Sequence, residues 1–226
     1  MEVIAEYLPV DHRYQLGVLD ISLLLSVVEE YGLDADSLLN DAGLSDIDWH
    51  SQESHISYSD KLLLFRYVQK YFPNIGLGLL LGERATLSHF GILGYAVLSS
   101  RTVFEAIKAG FKYLDLNGPV FSVRVSRDDD SASIEIENDL EIGELLPFCT
   151  EYFFSSITSL FFELTGQQLV LQKLELPYPK PDYATHYADR FRCNVIFEQP
   201  RCVLTFKANV MDLQLASHNS DLLSTY

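Results

Sequence analysis

Residues 89–118 read HFGILGYAVLSSRTVFEAIKAGFKYLDLNG. The stretch predicts two short helices joined by the turn Ser99-Ser100-Arg101-Thr102. In the second helix Val103, Ile107, Gly110, Phe111 and Leu114 recur at helical spacing and share one face. A glycine in such a stripe costs about 1 kcal/mol of helix propensity, and it permits a neighbouring helix to come close. The residues by themselves describe a packed helical hairpin, without the nucleophile or base of a catalytic site.

Upstream, the helical period continues. Ile21, Leu24, Leu25 and Val28 make one stripe, closed by Gly32 as a left-handed cap. Asp34 and Asp36-Ser37 open a short helix that Gly43 stops, and the segment around Asp46, Asp48, Trp49 and His50 is polar and loop-like. Ser57 or Ser59 caps a longer helix with the stripe Leu64, Tyr67, Val68, Tyr71 and Phe72. Gly76, Gly78 and Gly82 then punctuate a short apolar helix or turn. The first 118 residues therefore read as almost wholly helical.

Downstream, the period falls from 3.6 to 2. Phe121, Val123 and Val125 alternate with polar residues, as do Ala132, Ile134 and Ile136 beyond Asp128-Asp129-Asp130, which predicts an antiparallel hairpin around a solvated turn. A long helix over 147–165 opens at Pro147 and closes at Gly166. Further strands are expected at 169–176, 194–197 and 202–206, with a short helix over 183–191. The fold class is α+β: a helical N-terminal part (about 18–118) packed on a mixed part (about 119–215) with a small antiparallel sheet and one long helix. Residues 1–226 are expected to form one effector-binding and dimerisation domain, with a linker starting over 216–226.

Composition narrows the function. The chain of 226 residues is 48% hydrophobic, with 14 Phe and 13 Tyr, enough to bury a sizeable core and to exclude disorder over most of its length. Its formal net charge of −16 opposes contact with phosphate backbones. Cys149, Cys193 and Cys202 lack CxxC spacing and suit free thiols in a reducing compartment. No signal peptide is apparent at the N-terminus, and no apolar run approaches the roughly 18 residues of a bilayer span. The expected location is the cytoplasm, with no membrane partner. No GxSxG elbow, P-loop, dinucleotide fingerprint or HExxH pair occurs. Asp182, His186 and Asp189 share a helical face, but an acidic surface accounts for them. Neither a catalytic residue, a metal site nor a cofactor is expected.

The long helix carries the more specific pattern. Phe153, Ile157, Leu160, Phe161 and Leu164 form its core stripe. Tyr152, Ser155, Ser156 and Ser159 form a second face, with Phe148 a turn earlier. Small hydroxyls beside aromatic rings suit close helix packing, and they equally suit the few placed polar groups of an apolar ligand pocket. Tyr95, Tyr113 and Asn117 admit the same two readings, core residues with wet tips or hydrogen-bonding groups for a ligand. Arg66 and Arg101 are the candidate partners for a ligand carboxylate, and solvated surface positions are the alternative for each.

Taken in order, Gly91-x-x-Gly94-Tyr95, Ser99-Ser100-x-Thr102, Glu105-Ala106 and Tyr113 resemble the arabinose-binding-like sensor domain of bacterial AraC-type transcriptional regulators. The resemblance extends over roughly 20–215. It includes Tyr31-Gly32-Leu33, Gly76-Leu-Gly78, and the late Tyr187-Ala-Asp-Arg-Phe191, Val195, Phe197, Pro200 and Leu204-x-Phe206. It departs at Arg192-Cys193-Asn194, where the family commonly has Gly-x-Pro. The resemblance implies a small-molecule effector, a homodimer, and DNA contact only through a C-terminal helix-turn-helix part that does not occur in these residues. An excised sensor is the expectation. A ligand-independent dimerisation or protein-interaction module and an enzyme of unrecognised type are the alternatives.

Overall fold

In a computed structural model of the chain, residues 1–9, 15–51, 53–116, 119–138 and 142–218 are described. The expected α+β architecture is present. Helices α1 (Leu19–Glu30), α2 (Ala35–Asp41), α3 (Tyr58–Tyr71), α4 (Leu77–Glu83), α5 (Gly91–Leu98) and α6 (Val103–Lys112) precede the hairpin β4 (Ser122–Arg127) and β5 (Ser131–Glu137). Helix α7 (Leu146–Thr165), strand β6 (Leu171–Glu175), helix α8 (Ala184–Phe191) and strands β7 (Asn194–Ile196) and β8 (Cys202–Lys207) follow.

Three strands lie in the part read as helical. Strand β1 (Glu2–Tyr7) adds to β4, and the short β2 (Gln15–Gly17) pairs with β3 (His55–Ser57) in a separate two-stranded sheet. β1 escapes pattern reading because it is a sheet edge with a register shift between Val3 and Ala5, so it lacks clean alternation. The main sheet has six strands in the order β1-β4-β5-β8-β6-β7. Every pair is antiparallel except β6 and β7, which are parallel and joined across α8.

Pairing sets the sheet's two faces. Val123 lies opposite Ile136 and Val125 opposite Ile134, all buried, while Arg124 lies opposite Glu135. On the outer face Arg124 reaches Glu6 at 2.8 Å and Glu137 at 3.1 Å, and Arg201 grips Glu135 with two bonds of 2.6 and 2.7 Å. The inner face meets α7, where Phe121 and Phe153 pack edge to face with centroids 5.4 Å apart. Helix α7 is long and apolar enough to cross a bilayer by length and composition, but more than half of that stretch is buried inside this fold. It is the central helix of the core.

Two buried clusters result. The larger runs from α1–α4 through the sheet to α8, and the smaller gathers Leu87, Leu93, Val97, Val103, Ala106, Phe161 and Leu215. Within the smaller one, Gly94 of α5 lies against the Leu87 carbonyl, which a Cβ would meet at 2.1 Å. The expected Gly-x-Pro departure resolves simply: Arg192 takes a left-handed conformation (φ 50°, ψ 36°) at the end of α8, the place a glycine fills most easily.

Helices α4 and α7 approach each other at backbone distance. A Cβ on Gly82 would lie 2.4 Å from Ser155 Cβ and 2.6 Å from the Ser156 backbone nitrogen. Gly82→Ala is therefore expected to destabilise by about 1–3 kcal/mol through overpacking, although an open helix position would gain about 1 kcal/mol from alanine. Urea unfolding reads the sign, and a stabilised variant would contradict this packing.

Candidate functional site

Between α7, the α5–α6 hairpin and the sheet lies a cavity of about 240 Å³. α7 supplies one wall through Cys149, Tyr152, Phe153, Ser156, Ile157 and Leu160, continuing to Phe161 and Leu164. Opposite stand Leu93 and Val97 of α5 with Val103, Ala106, Ile107 and Phe111 of α6. The sheet contributes Val125, Ile134 and Phe206, and α3 contributes Lys61 and Phe65. The stripe read as core packing on α7 is thus largely a cavity wall, which explains why Phe153, Ile157, Leu160 and Leu164 are only half-buried.

The sequence-derived candidates separate sharply. Tyr152 and Ser156 line the cavity. Ser156 is 5% exposed, and its Oγ has no hydrogen-bond partner among the described residues. Ser155 and Ser159, one helical step round, face α4 instead. Their hydroxyls donate to the Leu79 and Gly82 carbonyls of α4, each at 2.8 Å. Both also accept from Arg190 of α8, at 2.7 and 2.5 Å, so packing uses these two serines fully.

Phe148 is buried against Phe65, with centroids 5.0 Å apart, and does not line the cavity. Tyr95 is 75% exposed on the outer side of α5. Tyr113 is half-buried just after α6, with the Lys112 ammonium 5.4 Å from its ring, and is also off the lining. Asn117 lies outside the described residues. Arg66 and Arg101 are exposed and off the lining, the Arg101 backbone N–H donating to Glu105 at 2.9 Å.

The cation at the cavity is Lys61, 3% exposed, with Nζ 5.9 Å from the Phe65 centroid. Sequence reading passed over it, although it stands three residues before Leu64 and seven before Val68 on the buried face of α3. That spacing was the available signal. Beside it, burial pushes the Cys149 thiol up to about 12, against the pull of the Lys61 ammonium, so this cysteine is a neutral wall residue.

A second polar cluster, also passed over, lies on the α4 and α8 side of α7. Glu151, 2% exposed, accepts from Tyr183 at 2.7 Å and from Tyr187 at 2.5 Å. Tyr178 lies 3.1 Å from Tyr187 and 2.9 Å from Thr150, completing a buried hydroxyl chain. Burial raises the Glu151 carboxyl to about 7, and the phenol hydrogen bonds hold it from rising further. Among the described residues, no group of three His, Cys, Asp or Glu side chains is placed to hold a metal ion.

Comparison with known proteins then decides the family. Residues 32–215 match the family model described as the arabinose-binding domain of AraC transcription regulators, N-terminal. The chain belongs to this family. It is 30% identical over 196 residues to the ornithine utilization regulator of Pseudomonas aeruginosa, covering 87% of this chain and 58% of that protein. An uncharacterized HTH-type transcriptional regulator of Mycobacterium tuberculosis is 23% identical over 132 residues, 58% of this chain and 38% of the relative. The chain thus spans little more than half the length of these regulators, or less. The crystal structure of the transcriptional regulator CdpR from Pseudomonas aeruginosa shares the fold, with a TM-score of 0.58 at 23% identity over 70% of this chain and 52% of that one. Members of this family are regulatory domains of transcription factors.

Glu151 makes a pH prediction. The unfolded chain ionises this carboxyl near 4.5 and the folded chain near 7, so the folded state holds the extra proton between those values. Its contribution is complete at low pH and is lost as pH rises through about 7. The displacement corresponds to on the order of 3 kcal/mol. Urea unfolding from about pH 5 to about pH 8 should show wild type losing on the order of 2–3 kcal/mol relative to Glu151→Gln. Parallel profiles would refute the assignment.

Proposed function

We propose that this domain binds a small-molecule effector in the cavity between α7, the α5–α6 hairpin and the sheet, and thereby controls an attached helix-turn-helix part. The cavity carries the reading: it is concave, apolar and equipped with few polar groups, as ligand sites are. Tyr152, Ser156 and Lys61 are its polar contacts. The effector acts by favouring one arrangement of the hairpin against α7, or of two copies in a homodimer. The shift cannot exceed its differential affinity for the two states. The charge of −16 suits a division of labour in which DNA contact belongs to the other part of a cytoplasmic regulator.

Ornithine, the amino acid in the name of the Pseudomonas aeruginosa relative, fits this cavity poorly. It carries two ammonium groups, whereas the described lining holds a lysine and no carboxylate. A second reading, a module that only mediates protein contact, draws on the exposed row Ile92, Tyr95 and Leu98 along α5. The cavity weighs the balance toward ligand binding.

Thermal unfolding against a metabolite library tests this. A ligand at about a hundred times its Kd adds about 2.7 kcal/mol, which for a chain of this size raises Tm by roughly 5–10 °C. Leu160→Trp, which fills the cavity, should fold and abolish that response. No response to a library spanning acids, amines, sugars and aromatics would overturn the sensor reading.

A further inference from the structure

Among the described lining residues, four carry a polar or ionisable side-chain atom: Lys61, Cys149, Tyr152 and Ser156. Lys61 and Tyr152 are both engaged within the protein, the Lys61 ammonium in part by the Phe65 ring 5.9 Å away. Cys149 stays a thiol, raised by burial to about 12, and a thiol is only a weak donor and acceptor. Ser156 differs. It is 5% exposed, and its Oγ has no hydrogen-bond partner among the described residues, whereas the Ser155 and Ser159 hydroxyls of the same helix are bonded on both sides. A buried hydroxyl without a partner destabilises a fold, and it is a group that a molecule in the cavity can satisfy.

We propose that the effector is an uncharged, largely apolar molecule whose one hydrogen-bonding group pairs with Ser156 Oγ. The inference rests on the ligand-binding reading above and specifies its chemical class. A carboxylate or ammonium entering this space gives up its water, and the walls hold no uncommitted counter-charge to replace it. A sugar fares no better, since a single hydroxyl can satisfy few of its groups. The size follows from the volume. An apolar cavity of ~150 Å³ takes up one benzene, so a space of 240 Å³ suits a ligand of about ten non-hydrogen atoms. The place of the polar group follows from α7, whose lining residues run from Cys149 to Leu164. Ser156 stands near the middle of that wall, two turns or roughly 10 Å from Cys149, so the ligand extends apolar arms to either side of its polar atom.

5-Nonanone has this size and a central carbonyl. Nonanoate and nonylamine keep the nine carbons but end in a charge, and butylbenzene has the size with no polar atom. Calorimetry on the 226-residue chain at neutral pH is expected to show 5-nonanone binding at least tenfold more tightly than either ion. Ser156→Ala is expected to weaken 5-nonanone roughly fivefold, the equivalent of one neutral hydrogen bond, and to leave butylbenzene unchanged. Without ligand, the same variant should unfold in urea at the wild-type midpoint or above it, because it removes an unbonded hydroxyl and loses no bond. Three results would each overturn the proposal while leaving the cavity a ligand site: an ion binding as tightly as the ketone, an equal response of both neutral probes to Ser156→Ala, or a lower urea midpoint for the unliganded variant, failure to fold included. Binding of none of the four probes would also overturn it, and the library screen then decides the wider reading separately.

Discussion

Helix α7 is twenty residues long and carries apolar side chains on more than one face, so several elements must cover it. The neighbours that meet this demand do so in different ways. α4 comes in at backbone distance, which Gly78 and Gly82 make feasible, and the serine hydroxyls of α7 donate to its carbonyls. α8 is tied down by Arg190, whose guanidinium spans Ser155 and Ser159. The sheet covers another face with interlocking aromatic rings. Along part of its length α7 instead faces a cavity bounded by the α5–α6 hairpin, the sheet and α3.

Both helices of the hairpin are fastened. α5 is locked to the segment before it through Gly94 and Leu87, and the Leu87 N–H donates to Glu163 of α7 at 2.8 Å. The start of α6 is pinned to the chain after β8, where the Val103 N–H donates to the Leu213 carbonyl at 3.0 Å and the Leu215 N–H to the Arg101 carbonyl at 2.9 Å. The hairpin meets α7 through Phe161, which packs with Val97 and Ala106 in the smaller core cluster, while the same residues and Ile107 line the cavity beside it.

Much of this was legible in the sequence, and the failures share a cause. Period and punctuation locate α5, α6, α7, α8 and the β4–β5 hairpin to within a residue or two, because each has a cap, a proline or a glycine at its end. The wall of the cavity was not legible as such. Phe153, Ile157 and Leu160 carry the pattern of a packed core, since side-chain type reports the face a residue turns inward and not the distance to what it meets. The hydroxyls divided for the same reason. Ser155 and Ser156 are neighbours in sequence, and the rotation of one residue sends the first to α4 and the second to the cavity. Lys61 and Glu151 were hidden differently: a charged residue in an amphipathic or apolar helix reads as solvated until its depth is known. Tyr95 shows the converse, a motif aromatic that the fold leaves on the surface.

The two buried polar sites divide along the same helix. Glu151, with its tyrosines, sits on the α4–α8 side, where every hydroxyl is bonded and the backbones are in contact. Lys61 and Ser156 sit on the cavity side, where the walls are mostly apolar. Closely packed, hydrogen-bonded elements change shape only at the cost of several bonds at once, whereas an element bordering a cavity has space to shift. On the proposed effector reading, the differential contacts between two states concentrate on α5 and α6, with α7 as the reference. The exposed row Ile92, Tyr95 and Leu98 lies on the outer side of α5. On that same reading, a displacement of the hairpin is presented directly at this surface, without passing through the closely packed α4–α8 side of α7.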